Sequence, residues 1–166
     1  MKYILTAILL FLVVGCKATQ PYIYNTIGSY NSDDVRWSKL AGDAKVFGSS
    51  FLRQSGGGVV SCAGTQVGLI PASSYADERI SYLYGNLQKG YNPNKSIDIA
   101  NSSYINDMRI TTCDVDGKFE FNNIPAGVYY LTTRIEWMVG YRKQGGALMQ
   151  RLEITEGESK RIVLTM

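Results

Sequence analysis

One stretch of this chain alternates between apolar and polar side chains, which restricts it to a β-strand with one face on a core. Along residues 128–137 one face carries Tyr129, Leu131, Thr133, Ile135 and Trp137, and the other carries Tyr130, Thr132, Arg134 and Glu136. Successive side chains of a strand point to opposite faces of a sheet, so this period of two fits a strand and not a helix. The sequence therefore predicts a half-buried strand here.

The segments around this strand carry turn and strand signals of the same kind. Strands are predicted over Met108–Cys113 and Lys118–Phe121, joined by the tight turn Asp114–Gly117, and a second turn over Asn122–Gly127 makes two successive hairpins. Residues 138–146 are expected to connect to a strand in which Leu148, Gln150, Leu152 and Ile154 share a face. A last strand is predicted over Lys160–Thr165.

The N-terminal half of the body is predicted to hold strands and one helix. Ala44–Gln54 and Val59–Pro71 are β-type segments separated by Gly56–Gly58, a turn signal. Ser73 or Ser74 is placed to cap a helix over Tyr75–Leu87, because Ile80, Leu83, Tyr84 and Leu87 recur on one helical face. Lys89–Ser103 is predicted to be an irregular loop. About seven short strands with regular turns indicate an all-β sandwich.

The N-terminus resembles a bacterial lipoprotein signal. Lys2 precedes an apolar run over residues 4–15 that is too short to span a membrane, and Cys16 follows it. We expect cleavage of residues 1–15, lipidation of Cys16, and a tether over 16–41 that leads to a folded domain over 42–166 with an insertion at 72–106. Because Lys17 is not the Asp that usually retains lipoproteins in the inner membrane, the expected location is the outer membrane of the cell envelope.

Cys62 and Cys113 are the other two cysteines of the chain. Outside the cytoplasm an even number of thiols is usually oxidised, so a disulfide between them is predicted. A redox or metal-binding pair is the alternative, although the two residues are not in a Cys-x-x-Cys arrangement. In the chain-entropy model a bridge closing a loop of this size stabilises the fold by about 4 kcal/mol.

Composition excludes several classes of function. The chain has no histidine, which removes Ser-His-Asp and Cys-His hydrolases and His-ligated metal centres. Without Lys2 the mature chain would have 16 basic side chains, one fewer than the 17 of the whole chain, against 14 acidic ones, so nucleic acid is not an expected partner. Asp114–Gly117 lacks the further ligands of an EF-hand, so a plain turn and no metal are expected there.

Three segments of the chain, Val59–Pro71, Arg109–Phe121 and Ile124–Tyr130, resemble the carboxypeptidase regulatory-like domain. The resemblance extends over about residues 44–165 and implies a transthyretin-like (prealbumin-like) β-sandwich. Among relatives of that fold, a hydroxyisourate hydrolase would need histidines and a C-terminal tetrapeptide ending in Ser, whereas this chain ends Val163–Met166. A mature chain of 151 residues, 16–166, also leaves no room for a separate zinc peptidase domain. We therefore expect a protein without catalytic activity or cofactor.

The insertion over 72–106 is where we expect a function particular to this chain. The leading hypothesis is a protein-binding or scaffolding module of the envelope that docks through the insertion or an open sheet edge. The alternative is carbohydrate recognition by aromatic and basic side chains in and around the insertion, namely Tyr75, Arg79, Tyr82, Tyr84, Lys89, Tyr91 and Tyr104. That alternative requires exposed, coplanar tyrosines beside Asn or Asp, and buried tyrosines would exclude it. The alternative without a binding role is that Tyr82 or Tyr84 has a structural role and covers an edge of the sandwich.

Overall fold

A computed structural model of the protein describes residues 27–98 and 100–166. The predicted signal segment and Cys16 lie outside the described residues. The elements in chain order are the 3₁₀-helix η1 (Ser32–Lys39), β1 (Ala44–Arg53), β2 (Val59–Ser61), β3 (Gln66–Pro71), α1 (Ser74–Tyr84), β4 (Lys89–Asn92), α2 (Ser102–Asn106), β5 (Arg109–Thr112), β6 (Lys118–Ile124), β7 (Gly127–Val139), β8 (Arg142–Ile154) and β9 (Ser159–Leu164).

The strands form two sheets that face each other across one core. In the four-stranded sheet β1 pairs with β2, β6 and β9, and the β1–β9 pairing is parallel. The five-stranded sheet has the order β4-β8-β7-β3-β5 and is antiparallel throughout. The sheet-on-sheet arrangement confirms the predicted β-sandwich.

The main core lies between the two sheets and is filled by alternate residues of each strand. Tyr129, Leu131, Thr133 and Ile135 are all buried on the inner face of β7, as the alternation predicts. Phe119 and Phe121 project into the same core from the opposite sheet. Burial of one side-chain row per strand is what sets the register of such sheets.

A second apolar layer covers part of the outer face of the five-stranded sheet. Ala76 and Ile80 of α1 pack there against Tyr130 and Met149, with Tyr104 of α2 beside them. The predicted helix is thus confirmed, and the Ser73 hydroxyl caps it by accepting from the Ala76 N–H. It ends at Tyr84 instead of Leu87 because Gly85 adopts the left-handed conformation that terminates helices.

Two predictions about the elements are wrong. The described residues hold nine strands instead of seven. Part of the excess lies in the predicted loop 89–103, where β4 pairs with β8 at the sheet edge and α2 begins. The pairing partner is more than 50 residues away in the chain, so the local composition of Gly, Pro and Asn did not reveal it.

The predicted connections in the C-terminal half also need correction. β6 belongs to the four-stranded sheet while β5 and β7 belong to the other, so neither predicted hairpin is a pairing of adjacent strands. Both turns carry the chain from one sheet to the other. The genuine hairpin is β7–β8, which extends through most of the predicted connection 138–146 and turns at Gly140 and Tyr141. A period of two shows which face is buried but not which sheet the strand joins.

Side chains that precede Gly42 also pack on the sandwich. The Trp37 ring contacts Tyr129 edge to face, with centroids 5.1 Å apart. Tyr30 contacts Tyr75 and Tyr104 in the same manner. The packing therefore reaches back beyond Gly42 at least to Tyr30, and the prediction that Trp37 packs on the sandwich is confirmed.

A disulfide joins Cys62 to Cys113, with 5.7 Å between the Cα atoms. Cys62 follows β2 of the four-stranded sheet, and Cys113 follows β5, an edge strand of the five-stranded sheet. The bridge therefore connects the two sheets and confirms the predicted pairing. Within residues 27–98 and 100–166, no helix has the length and apolar character needed to cross a bilayer.

Candidate functional site: a groove on the outer face of the five-stranded sheet

The helices leave part of the outer sheet face uncovered, and a groove with a cavity volume of about 640 Å³ lies there. α1 and α2 cover the face as far as Tyr130 and Met149. Beyond them the next outward positions of β7 are open. The groove is lined by residues of β3, β5, β7 and β8, by the last residue of α1, and by one residue just before β3 and one just before β5: Thr65, Gln66, Gly68, Tyr84, Met108, Ile110, Thr132, Thr133, Arg134, Glu136 and Ala147.

The floor of the groove is low because its centre has no side chain. Gly68 of β3 lies between Ile110 of β5 and Thr132 of β7 in the sheet register. A Cβ atom on Gly68 would stand 3.1 Å from the Thr132 hydroxyl oxygen, closer than ordinary contact. Because Gly68 has no side chain, the groove is deep at this point and the Thr132 hydroxyl is accessible from it.

Tyr84, the last residue of α1, forms one wall. Its position depends on Gly90 of β4, because a Cβ atom there would come within 2.5 Å of the Tyr84 Cβ. Burial raises the pKa of Tyr84 to about 12, although the neighbouring Arg134 charge opposes the shift. The phenol therefore stays neutral at physiological pH and presents a hydroxyl beside a guanidinium.

Charged groups stand at the open end of the groove. The Glu136 carboxylate accepts from Arg134 at 2.7 Å and forms an ion pair with Lys143 at 3.1 Å. Hydrogen bonds from Arg134 and Lys143 lower the pKa of Glu136, so it is ionised at neutral pH. Arg134 remains about half exposed, so it keeps donors free for a ligand.

Gln66 and Thr132 add neutral polar groups at the floor. The Gln66 side chain is exposed, and the Thr132 hydroxyl borders the space that Gly68 leaves open. The neighbouring Thr133 hydroxyl, by contrast, is used internally and donates to the Gln66 carbonyl at 2.8 Å. The groove therefore offers a carboxamide, a hydroxyl, a guanidinium and a carboxylate beside the apolar side chains of Met108, Ile110 and Ala147, a combination typical of small-molecule sites.

The structure does not bring the predicted aromatic and basic residues together on one surface. Tyr75 and Tyr104 form an edge-to-face cluster with Tyr30, with ring planes 63–78° apart. Tyr104 is buried, and Arg79 lies over the Tyr75 and Tyr104 rings while it donates to the Asp98 carbonyl. These tyrosines are neither coplanar nor exposed, so the cluster is a structural layer and not a stacking platform for sugar rings.

The other predicted residues point to separate places. The Lys95 ammonium nitrogen lies over the Tyr82 ring, 5.8 Å from its centroid. Tyr91 packs against the main core, and Lys89 is exposed. Of the predicted set, only Tyr84 lines the groove. Helical spacing alone could not separate these residues, because which tyrosines face the sheet depends on how α1 lies across it.

Sequence reasoning missed most of the groove. Thr132, Arg134 and Glu136 were visible as the polar face of the alternating strand, which is the signal that could have identified them. Gln66 and Gly68 carry no such signal, since their role depends on the pairing of β3 with β7. Among the described residues no group of three or more His, Cys, Asp or Glu side chains is placed to hold a metal ion.

The fold and the groove define a two-sheet β-sandwich with a helical layer on one outer face. No protein-family model matches the chain, and a search of curated proteins found no match. Among solved structures, the chain is similar to one described as a "putative carbohydrate binding protein" from Pseudomonas aeruginosa, with a TM-score of 0.69 and 21% identity, over 84% of this chain and 99% of the other. At that identity the similarity shows a shared fold.

Proposed function

We propose that this protein is a non-catalytic, lipid-anchored binding protein of the bacterial envelope whose ligand is a carbohydrate held in the outer-face groove. The observation that carries the proposal is the groove itself, which the polar side chains of Gln66, Thr132, Arg134 and Tyr84 line together. Sugar hydroxyls both donate and accept hydrogen bonds, so a mixed set of carboxamide, hydroxyl and charged groups suits them. The name of the Pseudomonas protein supports the same class of ligand.

This proposal differs from both forms of the sequence hypothesis. A tyrosine platform is excluded because Tyr104 is buried and the rings cross at steep angles. Docking of a protein through the insertion is less favoured than the groove, because the apolar side chains of α1 and α2 pack on the sheet instead of facing outward. The groove is the open polar concavity that the insertion leaves beside it.

The anchor is a separate part of the proposal. Cys16 would carry the lipid, and residues 17–26 would connect it to the packed segment that begins by Gly28, whose N–H donates to Glu78. We also propose that the domain over residues 42–166 is a carboxypeptidase regulatory-like domain with a transthyretin-like fold. Mass spectrometry of the envelope fraction should find acyl groups on Cys16, and an unmodified N-terminus would contradict the anchor without touching the groove.

The test of the groove is a glycan array followed by calorimetry on the mature chain, residues 16–166. We expect one class of oligosaccharide to bind, and both Gln66→Ala and Arg134→Ala to weaken it about tenfold, since each removes a hydrogen-bonding group. Arg53→Ala is the matched control, because Arg53 is exposed at the end of β1 and outside the groove. Binding that is unaffected by the groove variants, or no binding to any glycan, would contradict the proposal.

A further inference from the structure

The β7–β8 hairpin extends beyond the rest of its sheet. β3 begins at Gln66, which falls opposite Arg134 in the register, and β4 ends at Asn92, opposite Ala147. The pairs from Ile135↔Gly146 to Val139↔Arg142 therefore have no neighbouring strand in the five-stranded sheet. At about 3.3 Å per residue, the two-stranded ribbon projects about 16 Å past its neighbours.

The base of this ribbon packs against the main core, whereas its tip is exposed to solvent. Ile135 is buried in the main core and Trp137 packs against it. Every residue from Met138 to Gln144 is exposed. The ribbon is therefore packed against the core at its base and exposed to solvent at its tip.

Apolar side chains are concentrated at the tip of the ribbon. Met138 is 61% exposed, Val139 51% and Tyr141, at the turn, fully exposed. Apolar side chains exposed close together mark protein or membrane contacts more often than isolated ones do. Tyrosine with aliphatic neighbours is also the composition that enters the interface between lipid headgroups and acyl chains.

The charge next to the tip favours an anionic surface. Arg142 and Lys143 follow Tyr141 directly, and Glu136, the carboxylate nearest to them on the ribbon, is already paired with Arg134 and Lys143. The acidic turn Asp114–Gly117 exposes one apolar side chain too, Val115, but places it between two carboxylates. The two turns thus differ in the sign of the charge beside an exposed apolar residue.

We propose that the tip of the β7–β8 hairpin, residues 138–143, is a membrane-contacting element that binds the surface of anionic phospholipid bilayers. Tyr141, Met138 and Val139 enter the interface, and Arg142 and Lys143 lie at the level of the phosphates. The contact requires neither a lipid on Cys16 nor a ligand in the groove, and Lys143, which pairs with Glu136, is the residue that the tip and the groove share. With the anchor it would orient the domain on the membrane.

The test uses the mature chain 16–166 with Cys16→Ser, so that no acyl chain contributes. Binding is measured by co-sedimentation with vesicles of phosphatidylcholine and phosphatidylglycerol at 7:3 and with vesicles of phosphatidylcholine alone. We expect binding to the anionic vesicles, weakened by 0.5 M salt because screening reduces the attraction of exposed charges. Met138→Ser with Tyr141→Ser should lower the partition coefficient about tenfold, and Arg142→Gln about fivefold.

Val115→Ser and Val163→Ser are the matched controls, since both residues are exposed apolar side chains at other places in the fold. They should leave vesicle binding unchanged. A Tyr141→Trp reporter should shift its emission to shorter wavelength with anionic vesicles, whereas Val115→Trp should not. All tip residues are exposed, so thermal unfolding checks that the variants keep the fold.

Three results would overturn the inference: no binding to anionic vesicles, equal binding by the tip double variant, or an unshifted Tyr141→Trp spectrum. If the protein ignores vesicles but a photo-crosslinker at residue 141 joins it to one envelope protein, the tip is a protein contact instead. Failure of glycan binding would leave these outcomes unaffected, so the two proposals are tested separately.

Discussion

At the scale of single residues, the packed N-terminal segment depends on two close contacts. Trp37 lies against Gly127 and Tyr129 at the start of β7. The Asp107 carboxylate accepts a hydrogen bond from the Tyr30 hydroxyl at 2.7 Å and forms an ion pair with the Lys39 ammonium group at 2.5 Å. These contacts attach η1 and the residues before it to the sandwich, so they should be sensitive to small changes.

Gly127→Ala should lower the free energy of unfolding by about 1–3 kcal/mol, the usual cost of overpacking. A Cβ atom at this position would stand 2.1 Å from the Trp37 ring, and the φ of +153° is one that side chains rarely adopt. Urea unfolding measures the change. Gly56→Ala is the control, because nothing lies within 4 Å of its Cβ position, and a loss as large as that of Gly127→Ala would contradict the argument.

Asp107→Asn should lower the free energy of unfolding by about 1–2 kcal/mol at pH 7. Burial alone would raise the pKa of Asp107, but the hydrogen bonds from Lys39 and Tyr30 outweigh it and the pKa is lowered. A carboxylate whose pKa is lowered on folding stabilises the folded state fully at pH values above its pKa in the unfolded chain. This stabilisation is lost as the pH falls through its pKa in the folded protein.

The difference between wild type and Asp107→Asn should therefore be constant near neutrality and shrink below about pH 3.8, the ordinary value of the carboxyl group. Urea midpoints between pH 7 and pH 2.5 measure it. If the difference grew as the pH was lowered, folding would raise the pKa of Asp107 instead of lowering it, and the argument would be contradicted.

At the scale of elements, α1 determines how much of the outer sheet face is covered. Its buried side is narrow, consisting of Ala76 and Ile80, and the Tyr130 hydroxyl donates to Asp77 at 2.6 Å. The helix thus covers Tyr130 and leaves Thr132 open two residues further along the same strand face. The helix ends at Gly85, and its last residue, Tyr84, lines the groove together with Thr132.

Ile80→Ala should lower the free energy of unfolding by about 2–4 kcal/mol, because it removes a buried side chain under α1 and leaves a cavity. Ile105→Ala, in α2, is the matched control, since Ile105 is 42% exposed and its truncation should cost less than about 0.5 kcal/mol. Chemical unfolding of both variants tests this. Equal effects would mean that α1 is not anchored by its apolar side.

At the scale of the whole molecule, the two sheets are held by the shared core and by one covalent link. The cysteines of the disulfide are 51 positions apart in the chain and belong to opposite sheets. The chain crosses between the sheets at both turns of the β5–β6–β7 segment. The bridge therefore restricts separation of the sheets beside one of those crossings.

Cys62→Ser with Cys113→Ser should lower the free energy of unfolding by about 4 kcal/mol, as the chain-entropy model gives for a loop of this length. Wild-type protein unfolded in a reducing agent is the control and should reach the same value. Thiol counting under denaturing, non-reducing conditions should find neither cysteine free. Unchanged stability in the double variant would show that the core alone holds the sheets.

The sequence by itself determined which face of β7 and of β8 is buried, where α1 begins and that a tight turn lies at Asp114–Gly117. These features depend on local physics: the alternation at β7, the cap at Ser73, and the positive φ of Gly117 at the end of its turn. The pair of cysteines that follows the predicted signal segment also predicted the disulfide, which the geometry confirms.

Only the tertiary structure decided which sheet each strand joins, that Tyr75 and Tyr104 pack with Tyr30 edge to face, and that Gln66, Tyr84 and Arg134 line one groove. Each of these outcomes depends on contacts between residues far apart in the chain, and a period of two or of 3.6 carries no information about the partner across such a contact.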